Sequence, residues 1–209
     1  MKIPFTDINK VYVTSDTHYG HVNLTRGVTS WDESRTASAD GNVLKVRDFD
    51  TVEEMSAAIV DGINSMVPQD AILIHDGDWS FGGKANIGIF RNKLNVRQLH
   101  LITGNHDRHI AEGGFDHLFT TRNSELKLTI GSLLFHFYHH PIQSWDGMGK
   151  DSFHLHGHQH WIGNSRFGNG RKMDIGTDGN GFKPYKLTDV IDMLKDRVRF
   201  PEKNDHHDL

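Results

Sequence analysis

The sequence predicts an α/β fold, and two observations support this prediction. Short apolar strands alternate with helices in the first half of the chain, and a β-hairpin begins the second half. The chain has 209 residues, of which 36% are hydrophobic, and this size suits one domain with its own core. We therefore predict a single domain over residues 1–200, followed by a frayed tail over residues 201–209.

The first half of the chain is expected to form a parallel sheet. Apolar and β-branched residues predict three buried strands, at residues 11–15, 71–74 and 99–103. A helix begins after Thr51, because Thr51 and Glu54 have the spacing of a capping box, and it ends before Pro68. A second helix is predicted over residues 85–93. Strand and helix alternate in this way in α/β layers with parallel strands.

The second half has a different pattern. Residues 125–130 and 133–138 flank Gly131 and Ser132, which form the two-residue turn of a hairpin. Two strands near 153–156 and 171–175 follow, and a last helix runs from Leu187 or Thr188 to about Lys195. Residues 20–48 are polar and irregular, so they predict a long surface loop of the kind that is often functional or disordered.

Composition excludes several classes of protein. The chain has no cysteine, so it forms no disulfide, zinc finger or iron–sulfur cluster. It has no run of the ~20 apolar residues that a membrane span requires. A net charge of −4 argues against a dedicated nucleic-acid surface, although it does not exclude a local basic patch. We expect a cytoplasmic protein that makes no contact with a membrane.

Five segments place Asp, Asn or His directly after a predicted strand. Because ligand sites of open α/β sheets lie beyond the carboxyl ends of strands, these distant segments can converge. They are Asp16-Thr-His18, Gly77-Asp78, Gly104-Asn105-His106-Asp107, His139-His140, and the histidines at 154, 156, 158 and 160.

Taken singly, most of these segments have a simpler interpretation. Asp16 and His18 point the same way on an extended chain, but taken alone a turn Asp beside a surface histidine is the favoured interpretation. The same holds for Gly77-Asp78 and for the histidine pair at 139 and 140. The alternating histidines 154–160 differ, because all four would share one side of an extended strand, where a metal relieves their repulsion. This segment favours metal binding.

Together the segments predict a metal centre. Nitrogen and oxygen donors without thiolate suit Mn, Fe, Ni or Zn better than Mg or Ca. Seven donors, one of them bridging, predict two adjacent metal sites. The candidate donors at this point are Asp16, His18, Asp78 and Asn105, one of His139 and His140, and the histidines at 154, 156, 158 and 160.

The order of these motifs resembles the calcineurin-like metallophosphoesterase superfamily. The motifs cover residues 16–160, and the segment 174–184 is similar to the closing segment of small bacterial and phage members. The resemblance implies two β-sheets packed face to face with helices outside. It also implies one metal held by Asp16, His18 and His160, a second held by Asn105, His139 and His158, and Asp78 as the bridge. His139 is preferred to His140 because similar sequences carry His, another residue, then Pro.

The resemblance also implies catalytic roles for the Asn-His-Asp segment. His106 would contact the scissile phosphate or protonate the leaving oxygen, and Asp107 would orient His106. Two features depart from the family pattern. The motif ending in Asp107 differs from that of the serine/threonine phosphatases, which argues against protein phosphatase activity. Asp76 occupies a position that is usually apolar, either as a partner behind the ligands or as an unpaired group.

We therefore expect a two-metal hydrolase that attacks phosphorus with a hydroxide held between the cations, with Mn as the first choice of metal. The first substrate choice is a small or nucleotide-like phosphodiester, and the alternative is a phosphomonoester or nucleotide. A non-catalytic scaffold, a metal-storage protein and a nuclease are disfavoured. His21, Asn23 and Arg26 are candidate substrate contacts, and an ordinary solvated loop is the competing interpretation. If the chain is phage-encoded, its cytoplasm is that of the host cell.

Overall fold

Two β-sheets form the centre of the molecule. The structure is a computed structural model that describes residues 7–25 and 47–198. Arg26, most of the predicted loop 20–48 and the predicted tail 201–209 lie outside the described residues. None of the helices within residues 7–25 and 47–198 has the length and apolar composition of a membrane-spanning segment.

The first sheet is mostly parallel, as the sequence predicts. Its strand order is β4-β3-β2-β1-β9, and β1 to β4 pair in parallel while β9 pairs antiparallel with β1. The strands are β1 (Val11–Thr14), β2 (Ile72–His75), β3 (Gln98–Ile102), β4 (Thr121–Asn123) and β9 (Tyr185–Lys186).

The second sheet begins with the predicted hairpin. Ile130 pairs with Leu133 across the Gly131-Ser132 turn, and the next two pairings in the sheet are parallel. The strand order is β5-β6-β7-β8. The strands are β5 (Leu126–Ile130), β6 (Leu133–Phe137), β7 (Ser152–His156) and β8 (Lys172–Asp174).

The three predicted helices begin and end close to the predicted positions. Thr51 and Glu54 form the capping box that was predicted, with each side chain bonded to the other residue's backbone N–H. Short 3-10 helices occur at Ile8–Lys10, Val22–Leu24, Asp116–Leu118, Gly163–Arg166 and Thr177–Asn180. The α-helices are α1 (Val52–Met66), α2 (Lys84–Lys93), α3 (Arg108–Ala111) and α4 (Leu187–Leu194).

Two apolar layers hold this arrangement together. Alternate residues of β1 enter different layers, so the first sheet is buried on both faces. Val13 faces the layer between the two sheets, where it joins Phe135 and Phe153. Tyr12 faces the opposite layer, which α1 and α2 cover with residues such as Ile59 and Phe90. The predicted sandwich of two sheets flanked by helices is confirmed.

The topology brings the polar segments to one edge. Strands β1, β2 and β3 are parallel, so their carboxyl ends lie at the same edge of the first sheet. Strands β6 and β7 are also parallel, so their carboxyl ends lie together in the second sheet. The first four predicted segments follow one of these strand ends, as expected, whereas the fifth begins within β7 and continues past its end.

Candidate metal centre

The seven predicted ligands come together in two clusters. In each cluster, one donor atom from every Asp or His lies within 4.8 Å of the others. The first cluster contains Asp16, His18 and His160, and the second contains Asp78, His139 and His158. Asn105 joins the second cluster, because its Oδ1 lies 2.8 Å from Nδ1 of His158 and 3.1 Å from Nε2 of His139.

Asp78 lies between the two clusters. Its Oδ2 is 3.3 Å from Nε2 of His139 in the second cluster and 3.5 Å from Nε2 of His18 in the first. In the first cluster, Nε2 of His18 and Nε2 of His160 are only 3.1 Å apart, and Nε2 of His160 is 3.6 Å from Oδ1 of Asp16. The carboxylate of Asp78 thus lies close to histidines of both clusters.

The donor atoms fit cations. Nδ1 of His139 is 2.6 Å from the carbonyl oxygen of Asp76, and Nδ1 of His160 is 2.6 Å from Oδ2 of Asp178, so each Nδ1 donates its proton outward. In the neutral ring, Nε2 then carries a lone pair that faces the centre. There it meets acceptors, namely the amide oxygen of Asn105 and the Asp carboxylates. Acceptors that face one another need a positive charge between them.

The pKa values of the buried ionisable groups also indicate that positive charge is favoured between these donors. Burial lowers the pKa of His139, but in the protonated ring the hydrogen bond to Asp78 and the charges of Asp16 and Asp78 outweigh burial and raise the value to about 10, so without a cation a proton would supply the positive charge. Asp174, which accepts hydrogen bonds from the N–H groups of Trp161 and Gly176, has its pKa raised to about 7 by burial and by the charge of Asp16. The buried acids therefore attract positive charge to this region.

The backbone at the centre is strained. Among the described residues, seven non-glycine residues have positive φ angles, and five of these are predicted ligands. Left-handed backbone costs non-glycine residues about 1–3 kcal/mol and persists where function requires it. The expectation that Asp16 and His18 lie on an extended chain is wrong, because their φ angles are 55° and 46°. They reach the same cluster through a left-handed loop. The other three predicted ligands with positive φ angles are Asp78, His158 and His160.

The prediction that four histidines share one side of a strand is also wrong. Strand β7 ends at His156, and His158 and His160 then adopt φ angles of 71° and 51°. Only these two enter the centre. His154 is buried away from it, where its Nδ1 donates to the carbonyl of His136 and its Nε2 accepts from the N–H of Ile142, both at 3.2 Å. The strand end separates structural from metal-centre histidines.

Asp107 does not have the contact that was expected. Its two carboxylate oxygens accept the backbone N–H groups of Asp78, Trp79 and Gly104, each at 2.9 Å, rather than the ring of His106. Asp107 therefore ties the loops after β2 and β3 together. The exposed His106 is fixed through its backbone, whose N–H donates to Oδ1 of Asp78 at 2.9 Å.

Asp76 contributes to the centre through its backbone. Its carbonyl accepts from His139, whereas both carboxyl oxygens are buried with no hydrogen-bond partner among the described residues. Burial raises the pKa of Asp76 well above its usual value, because the charged form of the carboxyl group is poorly solvated there. His140 is half-buried, with its ring 4.3 Å from the ring of His158, so it borders the centre.

The three candidate substrate contacts have different positions. The ring of His21 lies 3.7 Å from the ring of Phe81 and 5.7 Å from that of His18, at the border of the first cluster. Asn23 is exposed, and Arg26 lies outside the described residues. A role for these residues in binding substrate stays a prediction.

Two residues behind the first cluster were not predicted from the sequence. The carboxylate of Asp178 contacts His160, and the buried guanidinium of Arg47 contacts Asp178 at 2.7 Å. Burial raises the pKa of Asp178, but Arg47 and the hydrogen bond to His160 outweigh it and lower the value to about 2. Asp178 is in a Gly-rich stretch that was noted without a role, and no sequence pattern singles out Arg47.

The family model of the calcineurin-like phosphoesterases matches residues 9–204 of this sequence. The chain belongs to this family. As a calcineurin-like phosphoesterase it is a metal-dependent enzyme that hydrolyses phosphoester bonds. The resemblance on which the sequence analysis relied is therefore confirmed. The assignment of individual ligands to individual metals stays a prediction.

Two solved structures are similar to this calcineurin-like phosphoesterase. A protein of unknown function from Aquifex aeolicus is 17% identical and has a TM-score of 0.61 over 88% of this chain and 98% of its own, and this likeness concerns the fold. Pseudomonas putida nuclease MPE is 15% identical, with a TM-score of 0.42 over 72% of this chain and 60% of its own. No curated protein matches the sequence.

Proposed function

We propose that this enzyme is a phosphodiesterase with a dinuclear metal centre that acts on small or nucleotide-like diesters. The observation that carries the proposal is the position of the Asp78 carboxylate between two clusters of donors. Asp16, His18 and His160 would hold one cation, and Asn105, His139 and His158 would hold the other. Mn is our first choice, followed by Fe, Ni and Zn, because the donors are nitrogen and oxygen without sulfur.

Two bound cations would neutralise phosphate oxygens and lower the pKa of water from 15.7 toward about 7, which provides a nucleophile at neutral pH. His106 would donate the proton to the leaving oxygen. The ring of His106 lies 5.5 Å from that of His18, so it is close to the first cluster without belonging to it. General acid catalysis of this kind contributes ~10²–10⁴-fold.

A cavity beside His106 supports a substrate with a small leaving group. It has a volume of about 300 Å³, at the lower limit of typical small-molecule sites. Phe81 and Ile87 supply apolar lining, and Arg108 and His109 supply basic lining. The cavity would receive the leaving group that His106 protonates, which supports a leaving group of small-molecule size.

The test begins with metal-free protein reloaded with Mn, Fe, Ni or Zn. Hydrolysis of bis-p-nitrophenyl phosphate, p-nitrophenyl phosphate and cyclic nucleotides is then compared. We expect the diesters to have the higher kcat/KM. Asp78→Asn and His158→Ala should abolish metal-dependent hydrolysis. His106→Ala should keep the metals and lose ~10²–10⁴-fold in rate, mainly on substrates with poor leaving groups.

Full activity in any of these variants would argue against the proposal. A preference for monoesters would instead favour the alternative, a phosphomonoesterase or nucleotidase that uses the same residues. We further propose a small phosphoester as the partner and the cytoplasm as the location. The net charge of −4 supports a small substrate over a nucleic-acid polymer.

A further inference from the structure

The guanidinium group of Arg47 is buried directly behind the first cluster. Arg47 is only 2% exposed, and its φ of 59° is left-handed. Two of its nitrogens contact the carboxylate of Asp178, Nε at 2.7 Å and Nη2 at 3.2 Å. The guanidinium group also reaches two backbone carbonyls, because Nη2 donates to that of Asp16 at 2.6 Å and Nη1 donates to that of Thr17 at 3.1 Å.

Asp178 connects Arg47 to a predicted ligand. Its Oδ2 accepts the Nδ1 proton of His160 at 2.6 Å, which directs the Nε2 lone pair toward Asp16 and His18. The segment of Asp178 is itself fixed, because the N–H of Thr177 donates to the carbonyl of Ser15 at 3.0 Å. Arg47 thus contacts both sides of the first cluster, the loop of Asp16 directly and His160 through Asp178.

The second cluster is supported differently. His139 donates its Nδ1 proton to the neutral carbonyl of Asp76, and no Arg or Lys contact to this histidine exists in the described residues. A buried ion pair is costly to desolvate, and apolar residues of the same size are often at least as stabilising. The stability of the fold therefore does not explain why a buried ion pair lies behind His160 whereas none lies behind His139 in the described residues.

We propose that Arg47 and Asp178 are positioning residues that set the metal affinity of the first cluster. A carboxylate behind a histidine ligand fixes the ring and increases its basicity, and removing such a partner typically lowers metal affinity 10–100-fold. Arg47 keeps that carboxylate charged and in place, and it holds the loop of Asp16. The inference rests on the proposed roles of Asp16, His18 and His160 as ligands.

Metal binding to chelator-treated protein, measured by calorimetric titration with Mn or Zn, tests the proposal. Wild-type protein should bind two equivalents. In Asp178→Asn, which keeps the size of the side chain, one equivalent should weaken 10–100-fold while the other is unchanged. Arg47→Lys should weaken the same equivalent, because lysine keeps the charge and loses the fork-shaped contact.

Arg171→Lys is the matched control. Arg171 is 6% exposed and contacts Asp151 at 3.0 Å and the carbonyl of Lys195, away from the centre. The Arg171→Lys variant should bind both equivalents of metal with wild-type affinity. This control separates a general effect of altering a buried arginine from the proposed effect on the first cluster. Thermal unfolding of the metal-free proteins identifies any variant that does not fold. If Asp178→Asn does not fold, Arg47→Lys decides the question.

The outcomes distinguish this inference from the proposed function. If the wild type binds two equivalents and folded Asp178→Asn or Arg47→Lys binds both with unchanged affinity, the positioning role is refuted and the dinuclear proposal stands. If the wild type binds fewer than two equivalents, the dinuclear proposal fails, and the inference fails with it. A loss of affinity that is equal for both equivalents of metal would also refute a role specific to the first cluster.

Discussion

Gly157 precedes His158 at a point where a side chain has no room. A Cβ added there would lie 2.0 Å from Oγ of Ser15 and 2.3 Å from Oδ2 of Asp16. The φ angle of Gly157 is outside the left-handed range, so alanine can adopt the backbone conformation and the conflict is purely one of space. We therefore predict that Gly157→Ala displaces the carboxylate of Asp16.

The size of this displacement can be worked out from the distances. Ordinary contact begins at about 3.4 Å, so Oδ2 of Asp16 must move by about 1 Å. A misplacement of this size in a catalytic site can cost ~10²-fold in rate. Overpacking a buried position also costs about 1–3 kcal/mol of folding stability. We expect kcat/KM of metal-dependent phosphoester hydrolysis to fall by about two orders of magnitude while the protein remains folded.

The assay compares kcat/KM, metal affinity and the urea-unfolding midpoint of Gly157→Ala with those of the wild type. Gly88→Ala is the control, because a Cβ at Gly88 in α2 would meet no atom within 4 Å. Alanine is favoured over glycine in a helix, so this control should gain about 0.5–1 kcal/mol of stability and keep its activity. Wild-type kcat/KM and metal affinity in Gly157→Ala would show that the spacing argument is mistaken.

Two further predictions concern pH and metal removal. Burial lowers the pKa of His154 from 6.5 to about 4, so the unfolded chain takes up a proton first as the pH falls. This contribution to stability is complete above pH 6.5 and is lost as the pH falls toward 4, by on the order of 3 kcal/mol in total. The free energy of unfolding is measured in urea between about pH 4.5 and 7.5. Its slope against pH should be shallower in His154→Gln than in the wild type, by up to about 1.4 kcal/mol per pH unit, and an unchanged slope would contradict the prediction. Treatment with a chelator should lower the melting temperature of the protein. Each cation bound only by the native state stabilises that state by about 4 kcal/mol when the free cation is at a thousandfold excess over its Kd. Equal melting temperatures with and without chelator would exclude tight metal binding.

Sequence analysis was most successful where a local pattern has a direct structural meaning. The capping box at Thr51 and the turn at Gly131-Ser132 were predicted because each depends on a few adjacent residues. The convergence of the metal-centre residues was predicted because polar residues that follow parallel strands must lie at one edge of the sheet. Strands β4 and β9 were not predicted, since strands of three and two residues are too short to show a period.

Sequence analysis failed where a contact joins distant segments. Arg47 and Asp178 are 131 residues apart, so no spacing rule connects them. Asp107 was assigned to the adjacent His106, whereas it binds the backbone of another loop. The end of β7 was not recognised within the alternating histidines, although Gly157 marks it. A periodic pattern shows how residues are arranged within a strand but does not show where the strand stops.

Each cluster of donors draws on both sheets. In the first cluster, Asp16 and His18 follow β1 of the five-stranded sheet and His160 follows β7 of the four-stranded sheet. In the second, Asp78 follows β2 of the former, whereas His139 follows β6 of the latter. A cation in either position would therefore act as a cross-link between the two layers of the sandwich. A fragment carrying one sheet alone would hold only part of each coordination set, so the catalytic centre can assemble only after both layers have docked.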